Sequence, residues 1–225
     1  MTIVTSLVLV GCTYSKYNED EDLPSIPDEV DKEYNPVDLG LPSGLLWADR
    51  NVGADSPYEC GNYFAWGEVE TKDYFSWATY KWYNAENNGM NKYCTIADFG
   101  NVDDKTVLAP ADDAATINMG KKWRMPTEEE QRELFEQCVC TWTTEYAIPG
   151  YKVTGPNGNF IFLPATGFCK EDRIRFVGVN SYYWSATLYK DYQYYSTYVF
   201  FNTDKKGNIA CNNRYNGLAV RAVRR

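Results

Sequence analysis

Three features of the sequence predict an α+β fold of short, twisted antiparallel strands, one or two short helices and long loops. A single well-capped helical segment stands amid many short extended runs. Turn signals built from Gly, Pro, Asn and Asp recur between those runs. The composition, 44% hydrophobic and 16% aromatic with 19 tyrosines, is that of a folded, β-leaning chain. At 225 residues one large domain is expected. A folded unit of about 190 residues would bury roughly 70% of its unfolded surface, enough for a self-sufficient core.

The chain opens MTIVTSLVLVGC, a short apolar run closed by Leu9-Val10-Gly11-Cys12. It resembles the lipobox of bacterial lipoproteins, which implies lipidation of Cys12 and membrane attachment through that lipid. The acidic stretch soon after Cys12 resembles surface-export signals of Gram-negative lipoproteins, which implies an outer-membrane protein exposed at the cell surface. An N-terminal strand with a buried cysteine is the competing reading. Residues 13–36, rich in Asp, Glu, Ser and Pro, read as an acidic disordered tether, with the domain proper at 37–225.

In the domain, DLGLPSGLLWADRNVGA gives two extended pieces about Pro42-Ser43-Gly44, with Trp47 as a core anchor. A short aromatic segment, CGNYFAWGE, follows. From Thr71 to Gly120 the chain is polar, with loops at Asn87-Asn88-Gly89 and Val102-Asp103-Asp104 and a weakly signalled helix near Asp112–Asn118. Thr127 and Glu130 form a capping box, Glu128 and Glu129 suit the positive end of the helix dipole, and Leu134, Phe135 and Cys138 supply the apolar face. A hairpin is expected where Tyr151 and Val153 alternate with polar residues, turn through Gly155-Pro156-Asn157-Gly158 and return over Phe160 to Leu163. Strands are expected again at Tyr183–Ser185, Tyr194–Phe201, Ile209–Asn212 and Leu218–Val223, with Leu188–Gln193 as a loop.

Charge and residue usage exclude several functions. A net charge of −9 repels phosphate backbones, so nucleic acid is not an expected partner. The sequence contains no histidine, which removes the common general base near neutral pH and every imidazole metal site. Apart from Cys12, six cysteines remain (Cys60, Cys94, Cys138, Cys140, Cys169 and Cys211). They permit up to three disulfides, buried thiols, or a four-thiolate metal site at Cys138, Cys140, Cys169 and Cys211. Buried thiols or partial pairing are favoured, and no cofactor or metal is expected.

The ordered motifs DLGLPSGLLWADRNVGA, YFAWGE, WRMPTEEEQRELFEQC, YKVTGPNGNFIFLPATGF, YYWSAT and AVRAVRR resemble the Fibrobacter succinogenes major paralogous domain family of Bacteroidetes lipoproteins, over residues 37–225. WRMPTEEE and AVRAVR are also similar to formylglycine-generating-enzyme-like domains. Both resemblances imply a C-type-lectin-like fold in which N- and C-terminal strands pair and a long loop region forms the binding face. The copper-binding cysteine pair of the enzymes has its nearest counterparts in Cys169 and Cys211, which lie in no matching motif. The calcium triplets of C-type lectins are not found either, since Ser185-Ala186 follows Trp184. The expected function is therefore non-catalytic recognition of a glycan or protein ligand, with assembly into a surface complex or a formylglycine-generating activity as alternatives. Tyrosine gives rigid amphipathic contact area at low entropic cost. This points to Tyr182, Tyr189, Tyr192, Tyr194, Asn212, Asn213, Arg214 and Tyr215 as the ligand-binding residues.

Overall fold

The computed structural model describes residues 34–225. The expected lipobox with Cys12, and residues 13–33 of the expected tether, lie outside the described residues. Mixed α+β architecture is present, as small antiparallel sheets with two short helices and long loops. No helix of the described residues is long and apolar enough to cross a membrane.

The chain begins with strands β1 (Pro36–Asp38) and β2 (Leu46–Ala48), which pair across the Pro42-Ser43 turn. Gly40 and Gly44 flank that turn with φ of 69° each, a region glycine enters without steric cost. β3 (Tyr83–Asn84) and β4 (Gly89–Met90) form a small hairpin. Helix α1 (Ala114–Met119) starts at Asp113, whose Oδ1 accepts from the Ala115 and Thr116 amides. Helix α2 (Glu128–Gln137) carries the expected capping box: Glu130 N donates to Thr127 Oγ1 at 3.3 Å and Thr127 N to Glu130 Oε2 at 2.9 Å.

β5 (Val139–Thr143), β6 (Gly150–Thr154) and β7 (Phe160–Pro164) make one sheet, and β8 (Phe168–Lys170) and β9 (Arg173–Arg175) a hairpin. The third three-stranded sheet is β10 (Asn180–Leu188), β11 (Tyr195–Asn202) and β12 (Asn208–Asn213). The last strand, β13 (Val223–Arg224), pairs with β2, placing Val223 opposite Trp47. The two ends of the described chain thus close on one another.

The β10–β12 sheet has apolar clusters on both sides. Tyr183, Val199 and Phe201 pack with Trp47, Leu134, Phe135 and Tyr151. Trp184 and Tyr198 pack with Trp66, Tyr93, Trp123 and Leu218. Alternation along β11 therefore sorts the side chains between two interiors, Val199 and Phe201 lying on the expected inner face. A third cluster joins Phe75, Tyr80, Met90, Cys94, Cys169 and Tyr215. Arg221 is fully buried, and the hydrogen bonds of its guanidinium go to carboxamide and carbonyl oxygens. Its guanidinium donates to Asn51 Oδ1 and Phe162 O, each at 2.8 Å, and to Ala48 O at 3.2 Å. Burial pushes its pKa down to about 10, against the opposing pull of Tyr183 and Asp49.

Four expectations change. Tyr34, Asn35 and Pro36 belong to the folded unit, not the tether: Tyr34 is buried, Asn35 Nδ2 donates to Asp49 Oδ2 at 3.0 Å, and Pro36 opens β1 opposite Ala48. The 71–120 segment is not simply loop, because Phe75, Tyr80, Met90, Tyr93 and Cys94 are core. β5 and the β8–β9 hairpin were not anticipated. The final expected strand is reduced to Val223–Arg224, while Leu218 and Ala219 make isolated bridges to Phe64 and Tyr183.

Candidate ligand-binding site

Residues 189–194 link β10 to β11 as a loop, in line with the polar composition of the segment. Gln193 secures it from below. Its fully buried side chain accepts from Thr95 N at 2.9 Å and donates to Lys190 O at 3.0 Å. Lys190, Asp191 and Tyr192 form the exposed tip. On either side of this loop lies an aromatic depression.

One is a cleft of about 240 Å³ lined by Trp77, Tyr83, Asn88, Tyr192, Tyr194, Tyr195 and Asn213. Trp77 lines it and ties its rings together, with ring centroids 5.1 Å from Tyr83, 5.4 Å from Tyr194 and 4.8 Å from Tyr215. Phe99 packs behind the lining, 5.1 Å from Tyr192 and 5.3 Å from Tyr194 in edge contacts. Asn88, at φ 51°, is held by two phenols: Tyr83 Oη donates to its Oδ1 at 2.6 Å and Tyr194 Oη to its carbonyl. Burial, with Tyr83 and Tyr192 adding to it, pushes the Tyr194 pKa above its ordinary value. The lining holds only indole, phenol and carboxamide groups, none of them charged at neutral pH.

The other depression is a broad groove of about 820 Å³ on the sheet, bordered by Tyr182, Tyr189, Tyr198, Phe200 and Ile209. Tyr182 links a row of rings, lying 5.1 Å from Phe168, 5.2 Å from Phe200 and 5.5 Å from Tyr198. This groove carries charge at its margin in the Glu128–Arg132 pair (2.7 Å) and Lys205.

The expected ligand residues therefore divide. Tyr192, Tyr194 and Asn213 meet at the cleft, and Tyr182 and Tyr189 at the groove. Asn212 uses its Oδ1 to accept from Asn213 N at 2.9 Å and Asn216 Nδ2 at 2.8 Å, ordering the end of β12. Tyr215 is buried in the third cluster beneath Trp77.

Arg214 is a correction. Its side chain is 0% exposed and donates to Tyr80 Oη (2.9 Å), Lys92 O (3.0 Å), and Tyr93 O and Gln193 O (3.1 Å each). Its guanidinium also lies 4.8 Å from the Trp66 ring centre. It fastens the end of β12 to the 80–93 segment and to the 189–194 loop, and so positions the cleft from inside. Trp77, Tyr83, Asn88 and Phe99 went unanticipated. Their local signal, the aromatic density of FSWATYKWYN beside the Asn87-Asn88-Gly89 turn, gives no pointer to a partner about a hundred residues away.

All six cysteines of the described residues are free thiols. Burial pushes Cys138 and Cys140 up to about 11, outweighing the nearby Lys206 ammonium. Cys169 sits in the third cluster and Cys211 on the groove. The four-thiolate set is not assembled, since no three His, Cys, Asp or Glu side chains gather as a metal cluster among the described residues. Compared with protein-family models, curated proteins and solved structures, the chain finds no match.

Proposed function

We propose that this chain is a non-catalytic lipoprotein of the outer membrane, exposed at the cell surface, which recognises a glycan or protein ligand through aromatic surfaces near its C-terminus. The carrying observation is the convergence of two aromatic depressions on the 189–194 loop, which Gln193 and Arg214 hold in place. Such concave, ring-lined sites with a few fixed polar groups are the usual form of a ligand pocket. Histidine-free composition, and cysteines held as protonated thiols by burial, support recognition over nucleophilic chemistry. The family resemblance adds a C-type-lectin-like scaffold to this proposal.

A glycan and host-protein array tests it. Wild-type protein should give a reproducible hit that Tyr192→Ala weakens, and an array without hits would count against ligand recognition. For the anchor, Cys12→Ala should release the protein from the membrane fraction; unchanged fractionation removes the lipoprotein claim.

A second reading, assembly into a surface complex, is favoured by the exposed apolar side chains Ile174, Phe176, Val177 and Val179 at the β8–β9 hairpin. Loss of a stoichiometric partner on Phe176→Asp, with array binding intact, would select it.

A further inference from the structure

Granting that this face binds a ligand, we infer that the cleft lined by Trp77, Asn88, Tyr192, Tyr194 and Asn213 takes a single uncharged sugar residue at the end of a glycan. Size argues first. Pockets for drug-sized ligands run to roughly 300–1,000 Å³, and this cleft holds about 240 Å³. That space suits one ring, not an extended chain.

The lining argues next. A sugar ring presents C–H faces that pack on aromatic planes, and hydroxyls that each need a donor or an acceptor. Trp77, Tyr83, Tyr192 and Tyr194 supply the planes. Asn88 and Asn213 supply carboxamides, which donate and accept at once. Asn88 is already oriented, because Tyr83 occupies its Oδ1 and Tyr194 its carbonyl. Its Nδ2 hydrogens then remain for a ligand oxygen, and little ordering is left to pay at binding.

Charge selects among sugars. No cation lines the cleft, so the carboxylate of a uronic or sialic acid would lose water without gaining a charge-assisted partner. The net charge of −9 disfavours it further. A proline or aromatic side chain of a peptide would fill the space but leave both carboxamides unpaired.

The experiment is saturation-transfer NMR on the described domain within the full chain. The probes are methyl glycosides of glucose, galactose, mannose and N-acetylglucosamine, the anions glucuronic acid and sialic acid, and a proline-rich peptide. Asn88→Gly removes the carboxamide while suiting the positive φ, at the loss of the hydrogen bond from Tyr83, and Asn213→Asp adds a charge without changing shape; both should remain folded at the assay temperature. At least one neutral glycoside should bind tenfold or more tightly than either anion, and each variant should lower that affinity tenfold or more. Equal affinity for the anions, binding of the peptide alone, or silence of both variants overturns the inference. Should a glycoside bind and respond to Tyr182→Ala but not to Asn88→Gly, the sugar sits in the groove: the inference falls and ligand recognition stands. If neither these probes nor the glycan and protein array yields a binder, both fall.

Discussion

Replacing Arg214 by Met separates a structural arginine from a ligand-facing one. Methionine retains an unbranched apolar stem that can lie along Trp66, so the change removes chiefly the guanidinium. What is lost is specific: the carbonyls of Lys92, Tyr93 and Gln193 and the hydroxyl of Tyr80 lose a donor inside the protein. Leaving one such group unsatisfied costs about 1–3 kcal/mol, and removal of the desolvated charge offsets part of the sum. With four acceptors affected and that offset, the net loss should be about 3–5 kcal/mol. For a domain of this size that lowers Tm by roughly 6–20 °C. Urea denaturation and scanning calorimetry measure it directly, with an unchanged m-value showing that the unfolded state is not the cause. A loss below about 1 kcal/mol would refute the structural assignment. If ligand binding then vanished while stability held, Arg214 would return to the binding face where the sequence places it.

Other outcomes follow from the same geometry. Burial pushes the Asp113 carboxyl up to about 6 from its ordinary 3.8, against the amides of Met125, Thr116 and Ala115. A folded-state pKa above the unfolded one favours the protonated form. This contribution is present below pH 3.8 and lost as pH rises through about 6. The difference between wild type and Asp113→Asn in urea stability should shift across that window by about 2–3 kcal/mol, and a pH-independent difference would contradict it. Alkylation at pH 8 should spare Cys94 and Cys138 in the folded protein and modify them in denaturant, since both are buried thiols; a disulfide found by non-reducing mass spectrometry would contradict it. Tyr192, 40% exposed, should tolerate replacement by Ala with a stability change of about 0.5–1 kcal/mol, and a large drop in melting temperature would place its ring in the core.

What the sequence discloses and what it hides divides along local and non-local physics. Helix α2 is legible because a capping box and an apolar face are written within ten residues. The β6–β7 hairpin is legible because Gly155-Pro156-Asn157-Gly158 can hardly do anything but turn. Strand β5 is hidden, as it leaves α2 with no intervening turn signal and leads with Val139, 68% exposed. Arg214 misleads for a statistical reason: an arginine beside asparagines and a tyrosine reads as surface, and only the tertiary fold brings Lys92, Tyr93 and Gln193 around it. The cleft is half legible. Its C-terminal wall, Tyr192, Tyr194 and Asn213, could be named from composition, whereas Trp77, Tyr83 and Asn88 face them across a sequence gap that no periodicity spans.

The anchoring of the 189–194 loop has an evolutionary consequence. Gln193 and Arg214 grip it through the backbone carbonyls of Lys190 and Gln193 and the amide of Thr95, contacts in which the side chains at 190, 191 and 192 take no part. Substitutions at those three positions therefore carry little penalty to the rest of the molecule, so long as Gln193 and Arg214 are kept. Sequences that share this scaffold are free to drift apart at the loop tip while remaining equally stable, and that tip is where divergence should be sought first.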